Sequence, residues 1–592
     1  MYQQTSIEEY FNKSFEFTGN EDWTLPEEAY CTPQWSIEAL QLMKVSLNTV
    51  KGQLSKFPIS FWSNHTKRTD PSSLIKYSIR TRAKIELLTQ AWCKFYECLN
   101  TYRLIPESCT NNESLHSLHL CEAPGAFITA LNHYLFVNHR NMKWRWNANT
   151  LNPYYEGNNL SEMIIDDSLI ANTIDNWEFG KDQTGDIRKF YNYEDLIGKF
   201  TVDLITADGS VDCMNDPGEQ EHNVHHLHYC EVMIALRVLC VGGNFVLKLF
   251  TMYEHGTISL MYLLNCCFKS VQVFKPCSSK SGNSEVYVMC FCYRGFDVLS
   301  NLWDSLISSY KIVKEEAMFD LSKINVTFLQ QLEDCAQYFM ELQCDQINRN
   351  IELFTEEVSS EVWDSIKDIQ EKVANAYLNK CPVSNVPTYC RLLKNTRKKP
   401  RIIHRELDVK VTSNYKELGV DNLIKIRGGL VIDVVRSSWF GCVSTKVSRK
   451  DYPIPEFDSP INVISASSFD SEISQGDLHR HFLHMVLERS DRCCNVMICG
   501  VPLLTRFLVG VVYVLSLGFD SFVVCKSGIV FHNYNEFKFY IVKKHLETIA
   551  AAFEYLRTKD FVEDILEVVP MKVLRKSNFY KAVYKYNTEI CT

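Results

Sequence analysis

The chain has 592 residues, 46% of them hydrophobic, and a formal net charge of −9 at neutral pH. That length allows two or more domains with substantial cores, and the acidic balance argues against a protein that grips nucleic acid over its whole surface. The start of the chain lacks the basic and apolar regions of a signal peptide. The longest apolar run, residues 507–519, is too short to cross a bilayer as a helix, so we expect no membrane partner.

The cysteines indicate a reducing compartment. There are 23 of them, an odd number, and many lie inside apolar runs without forming a C-x-x-C pair. A zinc ribbon is therefore not expected. Reduced core thiols are typical of intracellular proteins, and we expect this protein in the nucleus and the cytoplasm.

The first regions are a mixed segment and an α/β domain. Residues 1–60 have weak helical periodicity and are expected to pack against the domain that follows, residues 61–298. Within that domain a helix around Ala91–Glu97 presents Lys94.

A strand-like run then leads into a glycine turn, Glu122–Gly125, and helical spacing begins at Ala126. Such a turn lets backbone approach a ligand. Taken alone it is a weak signal, because a glycine after a strand is usually ordinary turn chemistry.

Three ionisable residues stand at later strand-like runs. Asp208 follows residues 202–207, Lys248 lies among apolar residues, and Glu285 opens residues 285–290. Each alone is best explained as a paired or solvated side chain, but buried charges are rare unless they are paired. Ligands of a doubly wound sheet bind at the carboxyl ends of the strands, so Asp208 is expected to face the same crevice as the glycine turn.

These residues resemble the FtsJ-type RNA ribose 2′-O-methyltransferases. The resemblance covers about residues 61–295 and rests on Trp92-Cys93-Lys94, the Glu122–Gly125 turn, Asp208, Lys248 and the stretch 275–287. It implies a Rossmann-like class I methyltransferase domain over residues 61–298 and S-adenosylmethionine as cofactor. It also implies a catalytic tetrad of Lys94, Asp208, Lys248 and Glu285.

The implied roles follow from the chemistry of a ribose hydroxyl, which is a poor nucleophile at neutral pH. Lys248, neutral through burial beside a cation, would accept the hydroxyl proton, or when charged would stabilise the developing alkoxide. Lys94 would supply the neighbouring cation, while Glu285 and Asp208 would position the two lysines.

The same resemblance implies which residues hold the cofactor. They are Glu122, Ala123, Pro124, Gly125, Ala126, Phe127, Trp144, Asn149, Asp186 and Asp208. Asn149 stands where the family often has an acidic residue for the ribose hydroxyls, and an amide can donate or accept there. Asp186 resembles the carboxylate that binds the adenine amino group. Trp144 is expected to pack on the cofactor or, more commonly for an aromatic, to be plain core.

An RNA enzyme with a net negative charge needs a local positive cleft. The candidate cations flank the tetrad in sequence, and each alone is more simply a solvated charge. They are Lys67, Arg68, Arg80, Arg82, Lys84, Lys275 and Lys280.

A histidine-rich segment opens a helix predicted over residues 219–239. It holds His222, His225, His226 and His228, with Cys230 close by. Two of these imidazoles are four residues apart and would meet on a helix, but RNA contact or plain surface is favoured over a metal site. No metal is predicted.

The remaining chain reads as a helical connector and a second α/β domain. Residues 299–401 contain helix-like segments, Val326–Gln346 and Val362–Leu378, and a basic linker, residues 394–401. Residues 402–592 alternate helix-like runs with strand-like runs at 429–435, 495–499 and 522–526, but they lack a comparable glycine turn and Asp-Gly exit. We predict a degenerate, non-catalytic methyltransferase-like domain there.

Several phrases, such as LITADGSVDC and KPCSSKSGNSEVYV, are most similar to the family's cap-specific branch. This implies methylation of the second transcribed nucleotide of capped mRNA, and of capped small nuclear RNA, by a monomer that meets the transcription or capping machinery. One alternative is a family enzyme acting on ribosomal or transfer RNA. The other is an RNA-binding scaffold that has lost catalysis, which the intact tetrad argues against.

Overall fold

A computed structural model describes residues 6–393 except 156, 157, 159–161, 165, 212, 214–216 and 357. Beyond these it describes residues 407–410, 424–427, 437–438, 441–442, 461–465, 475–490, 495–501, 503–524, 528–557, 563–569 and 571–590. The chain forms two compact units, residues 1–151 with 166–395 and residues 152–165 with 396–592.

The first unit is built on a mixed eight-stranded sheet with the strand order β1-β7-β8-β6-β5-β2-β3-β4. Its strands are β1 (Ser14–Glu16), β2 (Ser114–Leu120), β3 (Lys143–Asn149), β4 (Trp177–Glu178), β5 (Val202–Ala207), β6 (Leu239–Leu249), β7 (Phe268–Phe274) and β8 (Val286–Tyr293). Strands β4, β3, β2, β5 and β6 run parallel to their neighbours, while β8, β7 and β1 are added in antiparallel pairs.

Helices cover both faces of this sheet. They are α1 (Glu38–Gly52), α2 (Ile59–Thr69), α3 (Ile75–Arg82), α4 (Gln90–Thr101), α5 (Glu107–Asn112), α6 (Ala126–Asn138), α7 (Ser168–Asn172), α8 (Phe190–Ile197), α9 (Gln220–Val238), α10 (His255–Cys267), α11 (Trp303–Lys311), α12 (Val326–Thr355) and α13 (Ser360–Lys380). Consecutive residues of β6 face different hydrophobic cores. Phe245 and Leu247 belong to the core that includes α9 and α10, whereas Val246 belongs to the core that includes α4 and α6. Such a strand is buried on both faces, which explains its nearly continuous apolar sequence.

The segments before and after the α/β core pack onto it. Strand β1 pairs with β7, α1 packs against α12, and α13 packs against α3. The two helices predicted for a connector are α12 and α13, and both are therefore part of the packing of the first unit. The basic linker, residues 394–401, lies outside the described residues.

The strand order creates a crevice at one edge of the sheet. Strand β2 lies between β3 and β5. Strands β3 and β4 are added on one side of β2, and the later strands β5 and β6 are added on its other side. Ligands of open α/β sheets bind outside the carboxyl ends of the strands at such a switch point. The Glu122–Gly125 turn follows β2 and Asp208 follows β5, so both lie at this edge.

The second unit contains a five-stranded mixed sheet of order β13-β14-β16-β15-β9. Its described strands are β9 (Leu407–Lys410), β10 (Ile424–Arg427), β11 (Ser437–Ser438), β12 (Gly441–Cys442), β13 (Ile461–Ser465), β14 (Asn495–Cys499), β15 (Phe519–Val524), β16 (Gly528–Tyr534) and β17 (Glu563–Glu567). Its described helices are α14 (Gln475–Arg489), α15 (Arg506–Ser516), α16 (Glu536–Arg557), α17 (Met571–Lys576) and α18 (Asn578–Ile590).

This architecture confirms the predicted α/β class. The apolar run at residues 507–519 belongs largely to α15, which is buried along its length. Among the described residues, no helix is both long and apolar enough to span a bilayer.

Candidate active site

The structure brings the four residues of the sequence-predicted tetrad together from four elements. Lys94 lies on α4, Asp208 follows β5, Lys248 is near the end of β6, and Glu285 directly precedes β8. The Lys94 Nζ lies 2.5 Å from Glu285 Oε1. The Lys248 Nζ lies 3.1 Å from Asp208 Oδ1 and donates to the Asp208 backbone oxygen at 2.8 Å. Two cations and two anions thus share one edge of the sheet.

Mutual attraction favours the charged forms of Lys248 and Glu285. Burial acts to lower the pKa of Lys248, but Asp208 and Glu285 outweigh it and raise the pKa above its ordinary value. Burial acts to raise the pKa of Glu285, but Lys94 and Lys248 outweigh it and lower that pKa. The sequence-based idea that burial leaves Lys248 neutral is corrected here, because its two carboxylate neighbours hold the proton.

Residues that the sequence analysis did not single out support the tetrad. Glu97, three positions after Lys94 on α4, is buried and accepts from the backbone N–H of Cys277 at 2.7 Å and of Ser278 at 3.1 Å. Residues three apart lie on the same face of a helix, so the spacing of Lys94 and Glu97 could have indicated from the sequence that Glu97 lies near the site. The Ser279 hydroxyl donates to Glu285 Oε1 at 3.1 Å. Helix α4 therefore carries Lys94 and also holds, through Glu97, the loop that leads to Glu285.

Lys275 is placed differently from its prediction as an RNA contact. It is only 3% exposed, and its Nζ donates to the backbone oxygen of Asn283 at 2.7 Å, to Asn283 Oδ1 at 2.9 Å and to the backbone oxygen of Glu285 at 2.9 Å. Burial lowers the pKa of Lys275 to about 7. The expectation that Lys275 contacts RNA is therefore corrected, because its side chain hydrogen-bonds to the loop before β8 instead.

The glycine turn forms one wall of the crevice. Gly125 has a φ of +106°, a backbone conformation that favours glycine. Its N–H donates to the Glu122 backbone oxygen at 2.7 Å, and a Cβ added at this position would overlap Leu169 Cδ2. The Glu122 carboxylate accepts from the N–H groups of Phe127 at 2.8 Å and Ile128 at 3.3 Å, which caps α6. A larger residue at Gly125 would therefore be strained in its backbone and would require the Leu169 side chain on α7 to shift.

Part of the chain is similar to known proteins. Residues 87–293 match the family model of the FtsJ-like methyltransferases. They are an FtsJ-like methyltransferase domain. The chain is 42% identical over 394 residues to a cap-specific mRNA (nucleoside-2'-O-)-methyltransferase 2 of Danio rerio, covering 65% of this chain and 53% of that protein. It is 47% identical over 357 residues to the protein of the same name from Pongo abelii, covering 59% of this chain and 46% of that protein.

A protein of this name from Drosophila melanogaster is 40% identical over 390 residues, covering 63% of this chain and 55% of that protein. The chain thus spans about half the length of the curated relatives it matches.

Two buried acceptors in the methyltransferase domain suit a ligand with N–H and O–H donors. Glu122 Oε2 and Asn149 Oδ1 have no hydrogen-bond partner among the described residues. They stand at the carboxyl ends of β2 and β3, and the Asn149 Nδ2 is already used by the backbone oxygens of Glu178 and Gly185. Buried polar atoms are rarely left unpaired, so these two atoms fit the amino and ribose hydroxyl groups of the cofactor that the resemblance implies.

Other predicted cofactor residues have mixed placements. Ala123 and Pro124 lie in the turn, and Ala126 opens α6. The Phe127 ring stacks on Phe95 in the core at a centroid distance of 4.3 Å, so only its backbone faces the turn. The Asp186 carboxylate accepts hydrogen bonds from Arg188 Nε at 2.9 Å and from Arg188 Nη2 at 3.0 Å. An adenine amino group would have to share Asp186 with that guanidinium.

The prediction that Trp144 packs on the cofactor is corrected. Trp144 lies five residues before the end of β3, about 16 Å along the strand from the crevice. Its Nε1 donates to Ser117 Oγ at 2.9 Å, and its ring stacks on Trp146. The residue belongs to the opposite end of the sheet.

The other predicted RNA contacts lie on the surface. Exposed side chains are found at the end of α2, at and after the end of α3, and in the loop before β8: Lys67, Arg68, Arg80, Arg82, Lys84 and Lys280. Within the described residues none of them pairs with a carboxylate, although the Arg68 guanidinium lies over the Trp363 ring at 4.3 Å. They remain available to an anionic partner.

The histidine segment is mostly structural. His228 is buried and stacks on Phe250 at a centroid distance of 6.0 Å, and burial lowers its pKa to about 3. Burial likewise lowers the pKa of His225 to about 4. His222 is exposed, His225 and His226 are half-buried and His228 is buried, so the expectation of a surface or RNA contact is corrected for His228. In the part of the chain that the structure describes, no group of three metal-binding side chains is assembled.

Proposed function

We propose that this chain transfers a methyl group from S-adenosylmethionine to the ribose 2′-hydroxyl of the second transcribed nucleotide of capped mRNA. The observation that carries the proposal is the assembled tetrad of Lys94, Asp208, Lys248 and Glu285 beside the glycine turn. The names of the relatives support the choice of capped mRNA as substrate. Capped small nuclear RNA carries the same chemical groups and is a further substrate of this proposal.

The chain's own residues supply positioning and proton transfer. When bound, S-adenosylmethionine supplies a methyl group already activated by its sulfonium. Lys248, in the small fraction of molecules in which it has lost its own proton, is the residue placed to take the hydroxyl proton, because its Nζ stands at the edge of the sheet and is oriented by two Asp208 oxygens. Lys94, held by Glu285, provides a second ammonium group to stabilise the alkoxide as it develops. Glu122 and Asn149 would hold the cofactor through their unpaired oxygens.

A methyl-transfer assay on the full chain tests this proposal. Two transcripts of one sequence, capped and uncapped, are incubated with methyl-labelled cofactor, and nuclease digestion maps the labelled ribose. We expect label on the second nucleotide of the capped transcript, a much poorer reaction without the cap, and none with Lys248→Met. Equal labelling of both transcripts would favour an enzyme of ribosomal or transfer RNA. RNA binding without any transfer would favour a scaffold.

The cellular setting is part of the same proposal. We infer a monomer that works in the nucleus and the cytoplasm alongside the transcription or capping machinery. The cysteines whose side chains the structure describes are free thiols, which supports a reducing compartment. Fractionation of cells followed by detection of the chain, and light scattering of the purified protein, test the compartment and the monomer.

A further inference from the structure

A pocket of about 270 Å³ lies beside the tetrad and contains none of its residues. It is bounded by α2, by α12 and by the loop Lys280–Asn283. Its lining includes the apolar side chains of Leu54, Ile59, Trp62 and Ile347 and the polar side chains of Asp70, Lys280 and Asn283. Ligand sites in proteins combine an apolar lining with a few placed polar groups in this way, and this volume lies near their lower limit of about 300 Å³.

The pocket has a rigid aromatic surface. The Trp62 ring is stacked on Phe57 at a centroid distance of 5.0 Å and an interplanar angle of 11°. Phe354 packs edge-on against the same indole at 5.6 Å. Ile59, on the preceding turn of α2, is 87% exposed at the rim. Immobilised aromatic rings of this kind serve as stacking platforms for nucleobases.

Positive charge is concentrated under the adjoining loop. The Lys13 Nζ donates to Ser281 Oγ at 3.4 Å and the Lys51 Nζ to Ser284 Oγ at 3.0 Å, while Lys280 is exposed on the loop itself. No carboxylate of the described residues lies within ion-pair distance of these three lysines. Asp70 is near enough to interact with Lys13 and Lys280 but forms no ion pair with either. In a chain of net charge −9, such a cluster attracts a phosphate.

The loop also connects the pocket to the tetrad. Asn283 lines the pocket and accepts from Lys275, whose ammonium group also holds the backbone of Glu285. Only Ser284 separates Asn283 from Glu285. A ligand in the pocket would therefore lie close to the strand of RNA whose ribose reaches the tetrad.

We propose that this pocket binds one aromatic base of the RNA substrate, stacked at Trp62, with its phosphate at the exposed Lys280 and in the positive field of Lys13 and Lys51. This inference rests on the proposed function and extends it, since the base is one other than that of the methylated nucleotide. Two sources supply this chemistry: the terminal base of a 5′ cap, or an internal base of the transcript.

Paired variants on one helix test the proposal. Ile59→Glu places a negative charge at the exposed rim of the pocket, and Phe61→Glu places the same charge at a 67% exposed position outside it. Trp62→Ala removes the stacking surface, and Trp62→Phe restores much of it. The KM and kcat of methyl transfer are measured for capped and uncapped transcripts, and RNA binding is followed by tryptophan fluorescence in a Lys248→Met background.

Loss of one base stack costs about 1–3 kcal/mol, or roughly 5-fold to 150-fold in affinity. We therefore expect Trp62→Ala and Ile59→Glu to raise KM at least fivefold with kcat within twofold, while Phe61→Glu and Trp62→Phe stay close to the original protein. A KM increase confined to the capped transcript assigns the pocket to the cap base, and an equal increase for both transcripts assigns it to an internal base.

Unchanged KM in both Ile59→Glu and Trp62→Ala would overturn the pocket while leaving the proposed function intact. Absence of methyl transfer in the original protein would instead overturn the proposed function. The fluorescence titration then still decides the pocket: RNA binding that is weakened by Ile59→Glu but not by Phe61→Glu supports it, and binding unaffected by either rejects it.

Discussion

The charge state of Lys248 determines how the rate of methyl transfer should depend on pH. In the structure Asp208 and Glu285 raise the pKa of Lys248 above its ordinary value, although burial opposes them. A lysine can accept a proton only when it is neutral. We therefore predict that the single-turnover rate rises about tenfold per pH unit between pH 6.5 and 8.5, in proportion to the neutral fraction.

The size of the effect follows from that pKa. With a pKa at or above the ordinary value of about 10.4, Lys248 is neutral in at most about one molecule in 10³ at pH 7.4, which adds about 4 kcal/mol to the barrier. Glu285→Gln removes one of the two carboxylates that hold the proton, so the rising limb of the profile should move to lower pH. Lys248→Arg keeps the cation but cannot lose its proton, and should lower the rate by about 10²–10⁴.

Rapid-quench measurements with saturating cofactor and capped RNA give these profiles, because single turnovers separate chemistry from product release. Cofactor binding by calorimetry controls for damage to the fold. A rate that is independent of pH over this range, together with substantial activity in Lys248→Arg, would refute the base assignment. Lys248 would then act as a fixed cation that stabilises the alkoxide.

Three further predictions test the surroundings of the tetrad. Lys94→Ala and Lys248→Ala should each reduce turnover severely, and the double variant should be little worse than either, because groups that act as a unit are not additive; steady-state kinetics of the three variants checks this. Gly125→Trp should abolish cofactor binding, since even a Cβ there overlaps a neighbour, and titration of the original chain should give one site; stoichiometric binding left in the variant would reveal a site in residues 402–592. Glu97→Leu leaves two buried N–H groups unpaired and should lower stability by about 2–4 kcal/mol, as measured by denaturant unfolding.

The sequence predicted the central elements of the fold well. The strand at residues 202–207 and the helix predicted over 219–239 are found as β5 and α9, the latter at Gln220–Val238. Both have long apolar patterns with clear ends, and such elements are the most readable in a sequence. The helix predicted at Val326–Gln346 instead continues to Thr355, because packing on α2 extends it. A predicted strand at residues 429–435 lies outside the described residues.

Local pattern was less informative about side chains. Trp144 and Lys275 both lie within the stretch that the family resemblance covers, yet one lies at the far end of β3 and the other is buried beneath the loop before β8. Trp144 lies far from the crevice because of its position along β3. Lys275 is buried because three oxygen acceptors surround its Nζ. Neither can be read from residue type, because a lysine in sequence gives no sign of whether its partner is a phosphate or its own backbone.

A buried network of hydrogen bonds holds the tetrad residues in place. Glu97 holds the loop after β7 from one side, and Lys275 holds the same loop from within. Glu285 is thereby held where it pairs with Lys94, and Asp208 is held at the end of β5 where it pairs with Lys248. A tetrad placed in advance avoids reorganisation when charge develops on the ribose oxygen. The lysines that this loop rests on also give an acidic protein a local positive field, so the elements that order the catalytic groups also attract the RNA.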